Sequence, residues 1–154
     1  LYRRILELRR DPGDAERAGR LAEAVAAWLL RLQGFRILAR RAATPVGEID
    51  LVARRGDLVL FVEVKRRPTL ALALEAVTPT QRLRIERAAL WYLAQRRGLA
   101  GCRYRFDVVA LDEAHDRLVQ GADYDRDRFR PVDVVALAPG RLPVHVRDAW
   151  RPAA

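Results

Sequence analysis

The chain has 154 residues, of which 51% are hydrophobic and 32% charged, and it carries a net charge of +9 at pH 7. This balance predicts one globular domain and excludes a fully disordered chain, while the single cysteine, Cys102, excludes a disulfide-stapled mini-protein. No uninterrupted apolar run reaches the roughly 20 residues of a bilayer span, and no signal-peptide pattern is present. We therefore expect a cytoplasmic protein that does not enter membranes.

One helix and three strands are predicted in the N-terminal half. Apolar residues at three- and four-residue spacing predict an amphipathic helix over residues 14–33, which Gly34 ends. Apolar runs rich in β-branched residues or alternating with basic residues predict strands over residues 35–40, 47–54 and 57–65. The last two strands are predicted to form a hairpin with Arg55-Gly56 as its two-residue loop.

The C-terminal half is predicted to add a second long helix and further strands. Residues 69–77 are compatible with a short helix or a loop, and Thr78-Pro79 indicates the start of a helix over residues 81–97. Residues 104–111 form a predicted strand. The polar residues 112–142 predict a surface excursion with a candidate strand at 132–137, and residues 143–150 a terminal element that packs back on the core. The domain core is thus expected at about residues 14–111.

The positive charge is concentrated in the first two thirds of the chain. Residues 1–105 carry a net charge of +11 and residues 106–154 a net charge of −2. Such an excess favours polyanionic partners such as nucleic acid or an anionic membrane surface, and of these we favour nucleic acid. Of the 29 basic residues 28 are arginine, which a GC-rich genome would explain, and Lys65 is the only lysine. Because an ammonium group is a compact charge that can lose its proton when desolvated, we infer a specific role for Lys65.

Glu63 and Lys65 are charged residues near the end of an otherwise apolar strand. Strand alternation places both on the face of Phe61, and the predicted hairpin places Asp50 opposite Phe61 and diagonal to Glu63. Two carboxylates with water in the remaining positions suit Mg²⁺ or Mn²⁺, and this chemistry fits phosphodiester hydrolysis with Lys65 orienting the attacking water. A surface ion pair between Glu63 and Lys65, beside an unrelated Asp50, explains the spacing equally well.

The sequence resembles a known family at several ordered motifs. Gly47-Glu48-Ile49-Asp50-Leu51 and Phe61-Val62-Glu63-Val64-Lys65-Arg66 look like the signature of the YraN-like family of uncharacterised bacterial proteins, which are similar to PD-(D/E)xK nucleases. Further matches are Gly19, Glu23 and Ala26, Glu75-Ala76-Val77, Arg105-Phe106-Asp107-Val108-Val109, His145-Val146 and Asp148-Ala149-Trp150. The resemblance implies an α/β restriction-endonuclease-like fold, in which a central mixed sheet is flanked by helices around an αβββαβ core.

The resemblance also implies a role for each matching charged residue. It makes Asp50 and Glu63 metal ligands, Lys65 the catalytic lysine, and Glu23 an acidic residue that the first helix brings to the metal. A structural role and metal contact are equally open for Glu48. The chain departs from the family pattern at Ala22, which replaces a usual glycine, and in residues 69–74, which lack the usual Phe-Gly. Gln81 replaces a usual lysine and so removes a charge near the expected phosphate path.

We expect a positive rim around the metal that contacts nucleic-acid phosphates without reading sequence. Its candidate residues leave the strand of Lys65 or lie on the second long helix, and they are Arg66, Arg67, Gln81, Arg82 and Arg84. The leading prediction is therefore a Mg²⁺- or Mn²⁺-dependent endonuclease that cuts DNA. A homodimer and a DNA-processing protein partner are both compatible with this prediction.

The main alternative is a non-catalytic nucleic-acid-binding protein that has the nuclease fold and acts as a DNA-processing accessory. An acidic-protein interaction domain is the least favoured class. A metal-free acid-base arrangement of His115 and His145 with Lys65 for RNA cleavage is also weakly supported, because His115 falls in the polar excursion and nothing in the sequence orders the two histidines together. Cys102 has no adjacent base and is interpreted as inert. Tyr124 and Phe129 are interpreted as surface-loop residues rather than base-stacking platforms.

Overall fold

A computed structural model describes residues 12–112 and 143–152 of the chain. Its helices are α1 (Pro12–Leu32), the short α2 (Leu70–Glu75) and α3 (Pro79–Ala94), and a 3₁₀ turn spans Arg97–Leu99. Its strands are β1 (Arg36–Thr44), β2 (Gly47–Arg55), β3 (Leu58–Arg66), β4 (Arg103–Leu111) and β5 (Val144–Trp150). None of the helices within these ranges is long and apolar enough to cross a membrane.

The five strands form one mixed sheet in the order β1-β2-β3-β4-β5. The first three strands pair antiparallel, β3 pairs parallel with β4, and β4 pairs antiparallel with β5. Because parallel neighbours need a crossover, residues 67–102 carry the chain across the sheet through α2, α3 and the 3₁₀ turn. The protein is therefore an α/β domain with a central mixed sheet and helices, as the sequence predicts.

Threonine caps determine where the two helices after β3 begin. The Thr78 hydroxyl oxygen accepts a hydrogen bond from the Gln81 N–H, and Pro79 occupies the first turn of α3. Thr69 caps α2 in the same way by accepting from the Leu72 N–H. Residues 69–77, for which the sequence is compatible with either a helix or a loop, therefore contain a short helix.

The sheet is buried on both faces by different helices. On one face, α1 packs Val25, Ala26 and Leu30 against Leu60 and Val62 of β3. On the other face, α3 packs against the sheet in a second apolar cluster. Its members include Ile85, Ala88, Ala89 and Tyr92 of α3, and Val52, Phe61 and Phe106 of the strands. Leu60 and Val62 thus face α1 while Phe61 faces α3, which confirms the predicted alternation along β3.

The hairpin between β2 and β3 differs from the predicted register. Arg55 pairs with Leu58, so the two-residue loop is Gly56-Asp57 and not Arg55-Gly56. Gly56 has a φ of +61°, which a type II′ turn requires at its first central position. The pairing of Leu51 with Val62 brings Asp50 level with Glu63 instead of Phe61, so Asp50 and Glu63 lie closer along the hairpin than predicted.

The terminal element forms the strand β5 and adds the last neighbour of β4. Trp150 pairs with Phe106, and their rings stack with centroids 5.0 Å apart. Apart from Asp112, the predicted excursion over residues 112–142, including its candidate strand at 132–137, lies outside the described residues.

Candidate active site

Glu63 and Lys65 form an ion pair on β3. The Lys65 Nζ lies 2.8 Å from Glu63 Oε1, and the two side chains are 11% and 6% exposed. Alternation along β3 makes this contact, because residues two apart project on the same side of a strand. The prediction that Glu63 and Lys65 share a face is confirmed, whereas the pair is largely buried and is not the solvated surface pair of the alternative interpretation.

Asp50 joins this pair from β2. It immediately precedes Leu51, which pairs with Val62 of β3. Its Oδ2 accepts a hydrogen bond of 2.8 Å from the N–H of Val64, the residue between Glu63 and Lys65. The pKa of Asp50 is raised to about 7: burial and the charges of Glu63 and Glu23 raise it, and the Val64 N–H and Lys65 offset only part of that rise. Asp50 is thus a carboxylate close to the carboxylate of Glu63, and the nearby positive charge of Lys65 does not offset the effect of burial and of Glu63 on its pKa.

Glu23 extends the cluster from α1. It is a buried acidic residue in a part of α1 where the neighbouring residues Ala22, Ala24 and Val25 are apolar and buried as well. Its two carboxylate oxygens accept hydrogen bonds of 2.8 and 3.2 Å from Arg41 Nε. The hydrogen bond to Glu23 raises the pKa of Arg41 above its ordinary value. Sequence reasoning missed Arg41, because nothing in the pattern of β1 separates it from the other arginines.

The structure therefore brings together three predicted residues, Asp50, Glu63 and Lys65, and it places Glu23 close enough to Asp50 for its charge to raise the pKa of that carboxyl group. Each carboxylate already has a partner: Arg41 for Glu23, the Val64 N–H for Asp50 and Lys65 for Glu63. In residues 12–112 and 143–152, no group of three or more His, Cys, Asp or Glu side chains could hold a metal ion as arranged. Asp50 and Glu63 nevertheless fit a Mg²⁺ site by donor chemistry, since this ion is commonly bound by one or two carboxylates plus waters and substrate phosphates.

Arg84 reaches from α3 to the start of the strand that carries Asp50. A Cβ atom added at Gly47 would lie 3.0 Å from Arg84 Cδ, so the Arg84 side chain packs closely against this glycine and would have to shift for any other residue. Gly47 also has a φ of +153°, a conformation that other residues rarely adopt. The structure thus places the predicted phosphate-binding Arg84 at the first residue of β2.

The other residues predicted to contact nucleic acid have mixed surroundings. Arg82 donates from Nε to the Val77 carbonyl oxygen and lies over the Trp150 ring, which places it towards β5. Gln81 has a buried Oε1 that accepts no hydrogen bond from the part of the chain that the structure describes. Arg66 and Arg67 follow Lys65 at the end of β3, and Arg67 is exposed.

A second polar cluster lies at the junction of β4, β5 and the end of α1. Asp107 is fully buried, and its oxygens accept from Arg105, from the Asp148 N–H and from His145 Nε2, at 2.7 to 2.9 Å. The other ring nitrogen of His145 lies 3.2 Å from Gln33 Nε2. Asp107 and Asp148 were predicted only as matches to the family motifs, and His145 also as a member of the weakly supported acid-base arrangement.

The contacts of His145 account for its burial by a structural role, without a catalytic one. Both of its ring nitrogens have partners, and it pairs with Val109, which faces α1, whereas Lys65 alternates to the α3 side. A metal-free acid-base pair with Lys65 is therefore not assembled by the described residues. His115, Tyr124 and Phe129 lie outside the described residues. Cys102 is a half-buried free cysteine.

Comparison with known proteins gives consistent matches. The model of the Uncharacterised protein family UPF0102 matches residues 22–111. A UPF0102 protein of Paramagnetospirillum magneticum is 47% identical over 141 residues, which cover 89% of both chains. One from Caulobacter vibrioides is 43% identical over 144 residues, covering 93% of this chain and 94% of the relative. One from Bartonella bacilliformis is 56% identical over 90 residues, covering 58% of this chain and 74% of the relative.

Proposed function

The chain belongs to the family UPF0102, and from the chemistry of its own site we propose that it is a metal-dependent nuclease acting on phosphodiester bonds of DNA. The observation that carries this proposal is the meeting of Asp50, Glu63 and Lys65 on two adjoining strands. We also propose that the fold is of the restriction-endonuclease type. A helix, three antiparallel strands, a helical crossover and a strand parallel to β3 are compatible with its αβββαβ core.

Asp50 and Glu63 are the residues that would hold the metal. When bound, Mg²⁺ or Mn²⁺ would polarise the phosphate and make a water more acidic. The electrostatics of the pair support a cation there, since burial and Glu63 raise the pKa of Asp50 to about 7. A divalent cation would favour the ionised form of both carboxylates.

Lys65 is proposed as the residue that handles the attacking water. Its ammonium group is held by Glu63 at 2.8 Å and is largely shielded from solvent. The position from which Lys65 donates hydrogen bonds is therefore fixed. In hydrolysis, the water oxygen bonds to phosphorus, a phosphorus–oxygen bond to one sugar breaks, and the leaving oxygen gains a proton. Lys65 would orient the water and offset the negative charge that grows on the phosphate.

One observation favours the second candidate, a DNA-binding protein that does not cut. Glu63 and Glu23 are both engaged by cations of the chain itself, Lys65 and Arg41. A site whose carboxylates are neutralised internally has less need of a metal. Such a protein would still bind DNA through its basic surface, so binding alone does not separate the two functions.

Cleavage assays separate them. Labelled single-stranded, duplex, flap and branched DNA, together with RNA, are incubated with Mg²⁺, Mn²⁺ or a chelator. The variants are Asp50→Asn and Lys65→Ala, and the matched control is Asp57→Asn, which removes an exposed carboxylate from the turn at the other end of β3.

We expect metal-dependent cutting by the wild type and by Asp57→Asn. Removing Asp50 or Lys65 is expected to lower the rate by at least about 100-fold, the usual range for a lost proton-handling or charge-stabilising group. Binding of every substrate without cutting under either metal would instead support the accessory protein. Equal cutting by all variants would point to a contaminating nuclease and reject this site.

A further inference from the structure

Arg41 has a backbone conformation that its residue type disfavours. Its φ is +48°, in the left-handed region where a long L side chain is strained. Its neighbours Arg40 and Ala42 pair with Leu51 and Ile49, which places Arg41 across from Asp50 in the sheet. The irregular backbone therefore occurs at the level of the candidate site, where strained residues commonly serve function.

The contact between Arg41 and Glu23 uses only part of the guanidinium group. Both oxygens of Glu23 accept from Nε, at 2.8 and 3.2 Å. By contrast, Arg103 and Arg105 each use Nε and Nη2 together to grip both oxygens of an aspartate. Within the described ranges, Nη1 and Nη2 of Arg41 make no hydrogen bond, so their four N–H groups are available.

The exposure of Glu23 and Arg41 suits an arginine that a buried carboxylate holds in place while its outer part faces solvent. Glu23 is 12% exposed and Arg41 is 35% exposed, so the carboxylate is buried while part of the arginine reaches solvent. The two Nη groups of an arginine form a planar fork that matches two oxygens of a phosphate. Glu23 fixes this fork through Nε, and it could bind a metal only by giving up a half-buried ion pair.

We propose that Arg41 binds the non-bridging oxygens of a DNA phosphodiester at this site, and that Glu23 is its positioning residue and not a metal ligand. The proposal rests on the function proposed above and gives Glu23 a different role from the one that the family resemblance implies. It also names a contact that the predicted basic rim lacked.

The test compares DNA binding and metal binding in separate experiments. Affinity for a labelled duplex is measured by fluorescence anisotropy in chelator at several KCl concentrations, and Mn²⁺ affinity is measured by calorimetry without DNA. The variants are Arg41→Gly, which also relieves the strained φ, Arg41→Lys, which keeps a charge for Glu23 but loses the fork, and Glu23→Gln. Arg36→Gln is the control, because it removes an exposed charge near the start of the same strand.

We expect Arg41→Gly to weaken duplex binding about tenfold and to lower the slope of log affinity against log salt by about one. Arg41→Lys should lose affinity while keeping most of the slope, and Arg36→Gln should keep both. Glu23→Gln should weaken DNA binding and bind Mn²⁺ like the wild type, whereas Asp50→Asn should lose Mn²⁺.

Two results would overturn the assignment. One is wild-type affinity and slope in Arg41→Gly, and the other is a loss of Mn²⁺ binding in Glu23→Gln as large as in Asp50→Asn. If the wild type cuts DNA through Asp50 and Lys65 while Arg41→Gly binds normally, only this assignment fails. If binding depends on Arg41 but no metal supports cutting, the nuclease fails and the assignment stands.

Discussion

At the scale of single residues, Asp50 is a carboxylate whose charge the folded state opposes. Burial and the charge of Glu63 raise its pKa from 3.8 to about 7. A carboxyl group with a raised pKa holds its proton more tightly in the folded than in the unfolded state. The free energy of unfolding therefore falls as the pH rises from about 4 through about 7, which is the reverse of the usual effect of a paired carboxylate.

We expect Asp50→Asn to raise the melting temperature at neutral and alkaline pH. Asparagine keeps an oxygen that can accept the Val64 N–H and carries no charge. The gain should grow between about pH 4 and pH 7 and level off above it, reaching at most about 4 kcal/mol in the free energy of unfolding. Thermal denaturation followed by circular dichroism across this pH range measures it.

The control for this experiment is Glu48→Gln, which removes an exposed carboxylate two residues away on the same strand. Its melting temperature should follow the wild type at every pH. If Asp50→Asn also follows the wild type, the carboxylate is not opposed by its surroundings, and the electrostatic support for a cation between Asp50 and Glu63 disappears.

A bound metal should reverse this penalty. Because a ligand that binds only the folded state stabilises it, Mn²⁺ at 100 times its dissociation constant should add about 2.7 kcal/mol to the wild type. Asp50→Asn should gain much less, since one of the two proposed ligands is gone. Melting curves with and without Mn²⁺, read for both proteins at pH 7, check this; equal shifts would place the ion elsewhere.

At the scale of elements, Asp107 joins β4 to β5. Burial would raise the pKa of Asp107, but hydrogen bonds from His145, Arg105 and the Asp148 N–H outweigh it and hold the pKa below its ordinary value. A carboxylate with a lowered pKa stabilises the fold above the pKa of the unfolded chain, and this contribution is lost as the pH falls through the folded-state pKa. The junction is therefore expected to weaken in acid.

We expect Asp107→Ala to destabilise the protein by about 3 to 5 kcal/mol at pH 7, because it leaves buried donors and a half-buried guanidinium without their partner. Urea denaturation followed by circular dichroism gives this value. The matched control is Asp57→Ala, which breaks a two-bond pair with Arg103 that is 66% and 71% exposed. The control should show little loss; equal losses would mean that burial does not decide the strength of these pairs.

The hairpin of β2 and β3 shows which part of an element could be predicted. Both strands were predicted to within one residue, because their apolar runs are long. The loop was placed one residue too early. A glycine at the first central position is the signal for a type II′ turn, and it pointed to Gly56-Asp57. Arg55 stays in the strand, where it donates to the Gln33 carbonyl oxygen and stacks on Phe35. Those contacts are not readable from local sequence.

At the scale of the whole molecule, the net charge of +9 predicts salt-sensitive binding of nucleic acid. Each phosphate neutralised on duplex DNA contributes a slope of about −0.9 in log affinity against log salt. Two contacts therefore imply about a tenfold loss of affinity between 50 and 200 mM KCl. Anisotropy titrations in chelator measure this loss. Affinity that does not change with salt would contradict a phosphate-contacting surface and both proposed functions.

The site was partly predictable because its parts obey different rules. Asp50, Glu63 and Lys65 follow from strand alternation and the hairpin, so their meeting could be predicted even with the wrong loop. The pairing of Glu23 with Arg41 could not, because it depends on a φ of +48° inside a strand. No local residue preference announces that conformation for an arginine.

The order of the sheet also has a consequence for how the protein folds. The charged residues of the site lie within α1 and the three sequential antiparallel strands, and they are Glu23, Arg41, Asp50, Glu63 and Lys65. The strands pair with their neighbours in the chain, so the paired residues are separated by few residues in sequence. The parallel neighbour β4 joins only after residues 67–102, and such non-local pairing forms slowly. During synthesis the charged groups would then come together early, before β4 has paired with β3. Until that pairing forms, the apolar edge of β3 is exposed and can aggregate.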